Sequence, residues 1–201
     1  SQLSHVDAAD RIYSDRVDIL VDLKGYTQNT RTEIMALRPA PIQINYLGYP
    51  GTMGAEFMDY ILVDEFVVPA DQQPHFTEKL IYLPRCYQIN DGQREIDSKI
   101  PSRHELNLPE EGFVFCCFNN SYKITPTIFD VWMQLLRQVE GSVLWLLEGN
   151  AIAPTNLRRE AEARGVQSDR LVFAAKTEPS QHLVRHALAD LFLDTFPVTA
   201  H

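Results

Sequence analysis

The segment 119–125, NNSYKIT, has the residue types needed to hold a phosphate group. It joins an apolar run, expected to be a buried strand, to a helix that is predicted to begin with Pro126. The first N–H groups of a helix have no partner inside it, and the positive end of the helix dipole lies there, so both favour an anion. Lys123 adds a full positive charge, and Asn119 and Asn120 add amide donors and acceptors. The segment therefore predicts a phosphate-binding loop, with a polar surface loop and one solvated lysine as the alternative.

Other candidate residues are less specific when they are taken singly. His182 and Arg185 lie three residues apart near the start of a predicted helix, so they share a face and could either line a pocket or stay on the surface. The glycine-rich stretch 47–54, LGYPGTMG, follows a predicted strand directly. It is either a tight turn or a place where the backbone approaches a bound sugar closely. His201 is the last residue, and alone it indicates nothing.

Several classes of nucleotide and hydrolase site lack their motifs in this sequence. There is no Walker loop, no G-x-G-x-x-G after either clear first strand and no G-x-S-x-G nucleophile elbow. The carboxylate pairs of the chain are expected at the surface or at strand ends and give a glycosidase no specific support. No Asp-x-Asp pair is present to hold a metal on a nucleotide diphosphate. A transferase built on this chain would have to stabilise the leaving diphosphate with Lys, Arg and helix dipoles.

The composition is that of a globular domain. The 201 residues are 45% hydrophobic and 22% charged, with a formal net charge of −9, which argues against a nucleic-acid partner. Cys116 and Cys117 lie in an apolar run and are expected to be buried thiols, and no cysteine spacing suggests a disulfide framework or a metal site. No signal peptide or long apolar span is visible. These features predict a cytoplasmic protein without membrane association.

The hydrophobic pattern divides the chain into two α/β halves separated by a polar stretch, residues 86–108, that is either a linker or a long surface loop. Strands are predicted in the first half at 18–23, 41–47, 59–63 and 79–83, with helices at 6–13 and 30–37. In the second half, strands at 113–118, 142–147, 171–174 and 191–193 alternate with helices from 126, at 156–164 and at 180–187. Such alternation predicts a doubly wound parallel sheet with helices on both faces, and its ligands bind beyond the carboxyl ends of the strands.

Several segments together resemble one known family. ALRPAPIQINYLGYPGTMGAEFMDYILVD (36–64), FCCFNNSYKITP, SVLWLLEGN and LADLFLDTFPVTAH are similar to the protein O-linked N-acetylglucosamine transferases and their SPINDLY-type relatives. The resemblance covers nearly the whole chain in one order, and LRPAPIQ followed by LGYPGT is long enough to be specific. It implies an α/β GT-B architecture of two Rossmann-like, doubly wound parallel-sheet lobes, both incomplete here. Residues 1–85 would be the C-terminal part of the N-terminal catalytic lobe, 86–108 a linker, and 109–201 the N-terminal part of the nucleotide-binding lobe.

The same resemblance implies an activity and roles for single residues. The expected reaction is the inverting, metal-independent transfer of N-acetylglucosamine from UDP-GlcNAc to Ser or Thr hydroxyls of proteins, without a cofactor. The donor would lie in the cleft between the lobes. Lys123 is expected to contact the UDP diphosphate, Asn120 the nucleotide and Gly48 the sugar. His182 and Arg185 are expected to lie around the uridine, and His201 to open a phosphate-binding turn.

This sequence departs from the family pattern at two places. Pro179 stands where animal members carry a lysine, and Lys176 is a candidate substitute. The two threonines expected after His201, an upstream histidine motif and the tetratricopeptide repeats that usually present the acceptor would lie outside this chain. We therefore expect this piece alone to be inactive.

Two rival functions stay open at this point. One is a SPINDLY-type protein O-fucosyltransferase that uses GDP-fucose. Arg185 and the Ala200-His201 pair look more like the GlcNAc branch. The other is a non-catalytic nucleotide-binding fragment.

Overall fold

A computed structural model describes residues 3–200. The chain divides into two compact units, Ser1–Asp91 and Gly92–His201, which we call the first and the second unit. The boundary falls inside the polar stretch 86–108 that the sequence marks as a linker or loop. Each unit contains its own four-stranded sheet, and every strand pair in both sheets is parallel.

The first unit is built on a sheet whose strands follow one another in chain order. Ser4 caps the first helix, because its hydroxyl oxygen accepts a hydrogen bond from the N–H of Asp7 at 3.1 Å. The elements are α1 (His5–Ser14), β1 (Ile19–Asp22), α2 (Thr32–Ala36), β2 (Ile42–Asn45), β3 (Tyr60–Val63) and β4 (Lys79–Tyr82).

The core of the first unit is small. Ile61 and Val63 of β3 are fully buried and pack with Val68. A second cluster brings together Met53 and Met58 with Met35 of α2. Met53 belongs to the glycine-rich stretch 47–54, so this cluster anchors one end of that loop in the core.

The second unit has the strand order β7-β6-β5-β8. Thr125 caps its first helix, α3, by accepting a hydrogen bond from the N–H of Ile128, and Pro126 occupies the first helical position as predicted. The elements are β5 (Val114–Cys117), α3 (Pro126–Gln138), β6 (Val143–Leu147), α4 (Ile152–Ala163), β7 (Leu171–Ala174), α5 (Pro179–Arg185) and β8 (Leu191–Phe192).

Both faces of this second sheet are covered, as a near-continuous run of apolar residues in a strand requires. Cys117 of β5 packs in a cluster with Trp132 and Leu136 of α3. Cys116 belongs to the cluster on the other face, with Leu108 and Trp145. Burial raises the pKa of both thiols to about 11, so they are protonated core residues, as the sequence predicts.

Helix boundaries differ from the sequence prediction by one to four residues. The largest difference is in α4, which begins at Ile152, four residues before the predicted 156, with Pro154 in its first turn. A proline there costs little, since the first N–H groups of a helix have no partner inside the helix. Helix α5 ends at Arg185, and the predicted remainder forms a 3₁₀ turn at His186–Leu188.

Candidate functional site

The strand order of the second sheet contains one point at which its connections change direction. From β5 the chain moves outward to β6 and β7, and it then returns to place β8 on the other side of β5. The loops that leave the carboxyl ends of β5 and β8 therefore lie at a switch point of the strand order, which is where open α/β sheets bind their ligands. These loops are residues 118–125 and 193–200.

The loop after β5 presents Lys123 beside the start of α3. Ser121–Lys123 form a single 3₁₀ turn, and Thr125 then caps the helix. The half-buried Lys123 donates a hydrogen bond from Nζ to the carbonyl oxygen of Thr199 at 2.8 Å. The ammonium group therefore contacts the loop after β8, and Lys123 itself lies two residues before the cap of α3.

The two asparagines of this loop are placed differently. Asn119 donates from Nδ2 to Asp194 Oδ1 at 2.9 Å and to Thr195 Oγ1 at 2.8 Å, so its amide nitrogen is engaged in the protein. Asn120 is exposed, and its carbonyl oxygen accepts from the N–H of Lys123. Of the pair, Asn120 is the one whose side chain faces solvent.

The loop after β8 is closed by hydrogen bonds of its own. Asp194 Oδ1 accepts from the N–H of Thr195 and from the N–H of Ala200, each at 2.7 Å. Thr195 is almost fully buried, and its hydroxyl donates to the carbonyl oxygen of Val198 at 2.6 Å. Thr125 Oγ1 reaches across from the start of α3 to the carbonyl oxygen of Phe196 at 3.2 Å. His201, which the family resemblance names as a candidate for a phosphate-binding turn, lies outside the described residues.

A second group of candidates lies on α5, next to the end of β5. The Arg185 guanidinium is buried, donates to the carbonyl oxygen of Ala175 at 2.8 Å and contacts His182 Nδ1. It also lies over the ring of Phe118, 4.7 Å from the centroid. Within residues 3–200 no carboxylate pairs with Arg185, so aromatic faces and carbonyl groups compensate this buried cation.

The cluster around Arg185 contains donors without acceptors. Arg185 Nε and Trp145 Nε1 are buried and have no hydrogen-bond partner among the described residues. Buried donors of this kind are normally satisfied by an ordered water molecule or by a ligand. Because Arg185 holds the Ala175 carbonyl, it shapes the loop between β7 and α5 in addition to any contact with a ligand.

His182 is held in its neutral form by this environment. Burial, the positive charge of Arg185 and the neighbouring His186 together lower its pKa from the ordinary value of 6.5 to about 4, and burial is the largest cause. A neutral imidazole can both donate and accept hydrogen bonds, which suits contact with an uncharged base or ribose.

The residues that depart from the family pattern lie just before this cluster. Pro179 is the first residue of α5, where its missing N–H costs nothing. Lys176 is exposed in the loop between β7 and α5. The structure gives Pro179 a clear role in starting the helix and leaves the Lys176 ammonium free for solvent or a ligand.

In the first unit, Gly48 lies where two backbone segments touch. A Cβ atom at this position would meet the carbonyl oxygen of Leu23 and would lie 2.8 Å from the Cα atom of Lys24. Glycine is therefore required for the loop after β2 to pass against the loop after β1. These loops leave the carboxyl ends of neighbouring parallel strands.

Two buried polar residues hold the glycine-rich loop in shape. Asn45, at the end of β2, donates from Nδ2 to the carbonyl oxygens of Tyr49 and Gly51 at 3.3 and 3.2 Å. Glu78, which precedes β4, accepts at Oε1 from the N–H of Met53 and at Oε2 from the hydroxyl of Thr52, both at 2.6 Å. The loop is thus fixed at its turn and at its far end.

Sequence reasoning did not find Asn45, Glu78 or Asp194. Each is a polar residue at or next to the end of a strand, and each contacts backbone groups of a loop. A polar residue at or just after the carboxyl end of an apolar strand is the one signal in the sequence that could have marked Asn45 and Asp194.

A cavity of about 860 Å³ lies elsewhere in the first unit, where Asp18 and Pro41 precede β1 and β2. It is lined by Tyr13, Arg16 and Arg38, among others. These are the amino ends of the strands, the opposite end of the sheet from the glycine-rich loop, so this cavity is not a candidate for the site described above.

Residues 3–200 contain neither a membrane-spanning helix nor a cluster of metal-binding side chains. None of the helices there is long and apolar enough to cross a membrane. In the same range, no group of three or more His, Cys, Asp and Glu side chains is arranged to hold a metal ion.

Comparison with known proteins places this arrangement in a family. The model of glycosyl transferase family 41 matches residues 1–100 and 93–201. The probable UDP-N-acetylglucosamine–peptide N-acetylglucosaminyltransferase SEC of Arabidopsis thaliana is 42% identical over 200 residues, covering 97% of this chain and 20% of the relative. The probable UDP-N-acetylglucosamine–peptide N-acetylglucosaminyltransferase SPINDLY of Eustoma exaltatum is 34% identical over 195 residues, covering 94% of this chain and 21% of the relative.

A solved structure agrees with these sequence matches. A mutant of the Thermobaculum terrenum O-GlcNAc transferase superposes with a TM-score of 0.81 at 28% identity, covering 98% of this chain and 37% of that chain. This match confirms the predicted α/β fold with two parallel sheets. The chain spans about a fifth of the length of the curated relatives. The family model, the curated relatives and the solved structure each match nearly the whole length of the chain, and the chain belongs to glycosyl transferase family 41.

Proposed function

We propose that this chain is part of a glycosyltransferase that moves N-acetylglucosamine from UDP-GlcNAc to Ser or Thr hydroxyls of proteins. The observation that carries the proposal is the position of Lys123. Lys123 lies two residues before the cap of α3, and its ammonium contacts the loop after β8, where the strand order changes direction. A cation and a helix dipole at one point suit a diphosphate. The sugar and the peptide acceptor are those of the relatives, which are named as UDP-N-acetylglucosamine–peptide N-acetylglucosaminyltransferases.

The proposed reaction is a single displacement that inverts the anomeric carbon. The acceptor hydroxyl oxygen forms a bond to C1 of the sugar while the bond from C1 to the β-phosphate oxygen breaks. The hydroxyl proton leaves to a base that lies outside the residues we assign, and UDP departs with the bonding electrons. Lys123 and the positive end of the α3 dipole stabilise the charge that grows on the diphosphate. These protein groups would serve without a metal ion or a cofactor.

Roles for the remaining candidates follow from their surroundings. The neutral His182 and the loop shaped by Arg185 would contact the uridine, and Asn120 would contact the nucleotide from its exposed position. Gly48 would let the backbone of the first unit approach the sugar. Tetratricopeptide repeats outside this chain would present the acceptor, and the whole protein would act in the cytoplasm.

The test of the proposal is donor binding. UDP-GlcNAc and GDP-fucose are titrated by calorimetry into a protein of the relatives' length that carries this region, and transfer of each labelled sugar to a Ser/Thr peptide is measured. We expect tighter binding and transfer with UDP-GlcNAc. A preference for GDP-fucose would favour the fucosyltransferase alternative, and binding of UDP without transfer of either sugar would favour a nucleotide-binding role.

A further inference from the structure

One carboxylate organises the loop after β8, and neither the sequence reasoning nor the comparisons assign it a role. Asp194 is the second residue after β8. Its Oδ1 accepts three hydrogen bonds, from Asn119 Nδ2 at 2.9 Å and from the N–H groups of Thr195 and Ala200 at 2.7 Å each. Hydrogen bonds to an ionised acceptor are stronger than those between neutral groups.

These bonds act on two parts of the site at once. The bond from Ala200 closes residues 194–200 into a ring, and the bond from Asn119 ties that ring to the loop after β5. Thr199, whose carbonyl oxygen accepts the hydrogen bond from Lys123 Nζ, is one of the residues of this ring. Displacement of the ring would therefore displace the acceptor that holds the ammonium.

We propose that Asp194 is a positioning residue that fixes the loop 194–200 against Asn119 and thereby sets the place of the Lys123 ammonium. The link to a leaving diphosphate rests on the proposed function, whereas the effect on the loops does not. Asp194 acts through its neighbours, because a negative carboxylate beside a diphosphate would repel it and Oδ1 is already occupied by three donors.

The chemistry of the contacts suggests two informative variants. Asp194→Ala removes all three hydrogen bonds. Asp194→Asn retains one oxygen that can accept the same three donors, and it loses the negative charge. A positioning role predicts damage in the first variant and substantial rescue in the second.

A matched control lies at the other end of the same strand. Asp190 precedes β8 and accepts at Oδ2 from the N–H of Val114 at 2.8 Å and from Arg103. Asp190→Ala removes hydrogen bonds of a similar kind from the amino end of the short strand β8, opposite the end that leads to the loop 194–200. Loss of stability alone should affect both alanine variants, whereas an effect on the site should be confined to Asp194.

The first experiment measures amide hydrogen exchange by NMR in this chain. In Asp194→Ala we expect the amides of Thr195 and Ala200 to exchange about tenfold faster or more, since loss of a hydrogen bond to a charged group exceeds 1.4 kcal/mol. Amides of β6 should keep their rates, and Asp194→Asn should lie near the wild type. Unchanged exchange at both amides in Asp194→Ala would overturn the proposal.

The second experiment measures UDP affinity and single-turnover transfer in a protein of the relatives' length. Asp194→Ala should lower the transfer rate at saturating donor by up to about 100-fold, because a small misplacement of a charge at the reacting centre costs that much. Asp194→Asn should recover most of the rate, and Asp190→Ala should lower thermal stability alone. A wild type that transfers no sugar would refute the proposed function and leave the exchange experiment to decide on Asp194. An Asp194→Ala variant as active as the wild type would refute the positioning role.

Discussion

At the scale of single residues, Lys123 is the cation best placed to stabilise a leaving diphosphate. Its ammonium donates to the Thr199 carbonyl, and the residue lies two positions before the cap of α3. A leaving phosphate carries more negative charge in the transition state than in the bound donor. A cation at this point therefore contributes more to the rate than to binding.

We predict that Lys123→Ala lowers kcat by about 100- to 1000-fold, the usual effect of removing one preorganised electrostatic group. UDP affinity should fall less. Lys123→Arg should restore only part of the rate, because a planar guanidinium does not replace a compact ammonium. Single-turnover transfer at saturating donor tests this, with Lys99→Ala as an exposed lysine control. Equal rates for the wild type and Lys123→Ala would show that Lys123 is only a solvated loop lysine.

His182 gives a prediction about pH. Its pKa in the folded chain is about 4, against an ordinary value of 6.5, with burial as the main cause. As the pH falls below 6.5 the unfolded chain takes up a proton at this residue that the folded chain does not, so His182 makes the folded state less stable. The loss should level off below about pH 4.

The measurement is the free energy of unfolding from pH 4.5 to 8 for the wild type and for His182→Asn. We expect the wild type to lose more stability than the variant over the acidic part of this range, and the two slopes to agree above pH 7. The change in UDP affinity between pH 5.5 and 8 should be the same in the wild type and in His182→Asn, because His182 does not titrate in this range. Parallel stability curves across the whole range would contradict a lowered pKa.

At the scale of secondary-structure elements, loops at the carboxyl ends of strands carry Gly48 in the first unit and Asn120 and Lys123 in the second. In the first unit the loop after β2 passes so close to the loop after β1 that Gly48 has no room for a side chain. Gly48→Ala should therefore destabilise the first unit, by about 1–3 kcal/mol, the usual cost of forcing extra carbon into a packed site.

Chemical denaturation of Gly48→Ala is the measurement. Gly92→Ala is the control, because a Cβ atom there would meet nothing within 4 Å and its backbone is not in the left-handed region. The control should stay within about 0.5 kcal/mol of the wild type, as surface substitutions usually do. A Gly48→Ala variant as stable as the control would show that the two loops can separate at no cost.

Sequence patterns predicted these elements well because the signals are local. The apolar runs gave all eight strands, and Thr125 followed by Pro126 gave the start of α3. The same patterns could not give Asp194 or Glu78. Asp194 acts on Asn119, 75 residues away, and Glu78 acts on Met53, 25 residues away. Such pairs depend on how strands are ordered in a sheet, and a periodicity of two or 3.6 residues carries no information about that order.

At the scale of the whole molecule, the acidic balance and the anionic ligand act against each other. A formal net charge of −9 creates a field that repels a nucleotide diphosphate at long range. Attraction must then come from groups close to the ligand, such as the α3 N-terminus and Lys123. Short-range contacts of this kind are less sensitive to salt than long-range steering.

The last prediction concerns what this 201-residue polypeptide does alone. It corresponds to 37% of the Thermobaculum terrenum chain that it matches in structure. The switch-point loops that bear Lys123 are present, so the polypeptide should bind UDP, weakly. It should not transfer sugar, because by the family resemblance the donor site also takes residues on either side of this region.

NMR titration with UDP, followed through the amides of Asn120 and Lys123, and a labelled-sugar transfer assay test the two statements separately. Extension to the relatives' length should restore transfer, and a Lys123→Ala chain of that length controls for contaminating activity. Robust transfer by the 201-residue polypeptide would show that these two units contain a complete donor site, and absence of any UDP-induced shift would remove the loops after β5 and β8 from it.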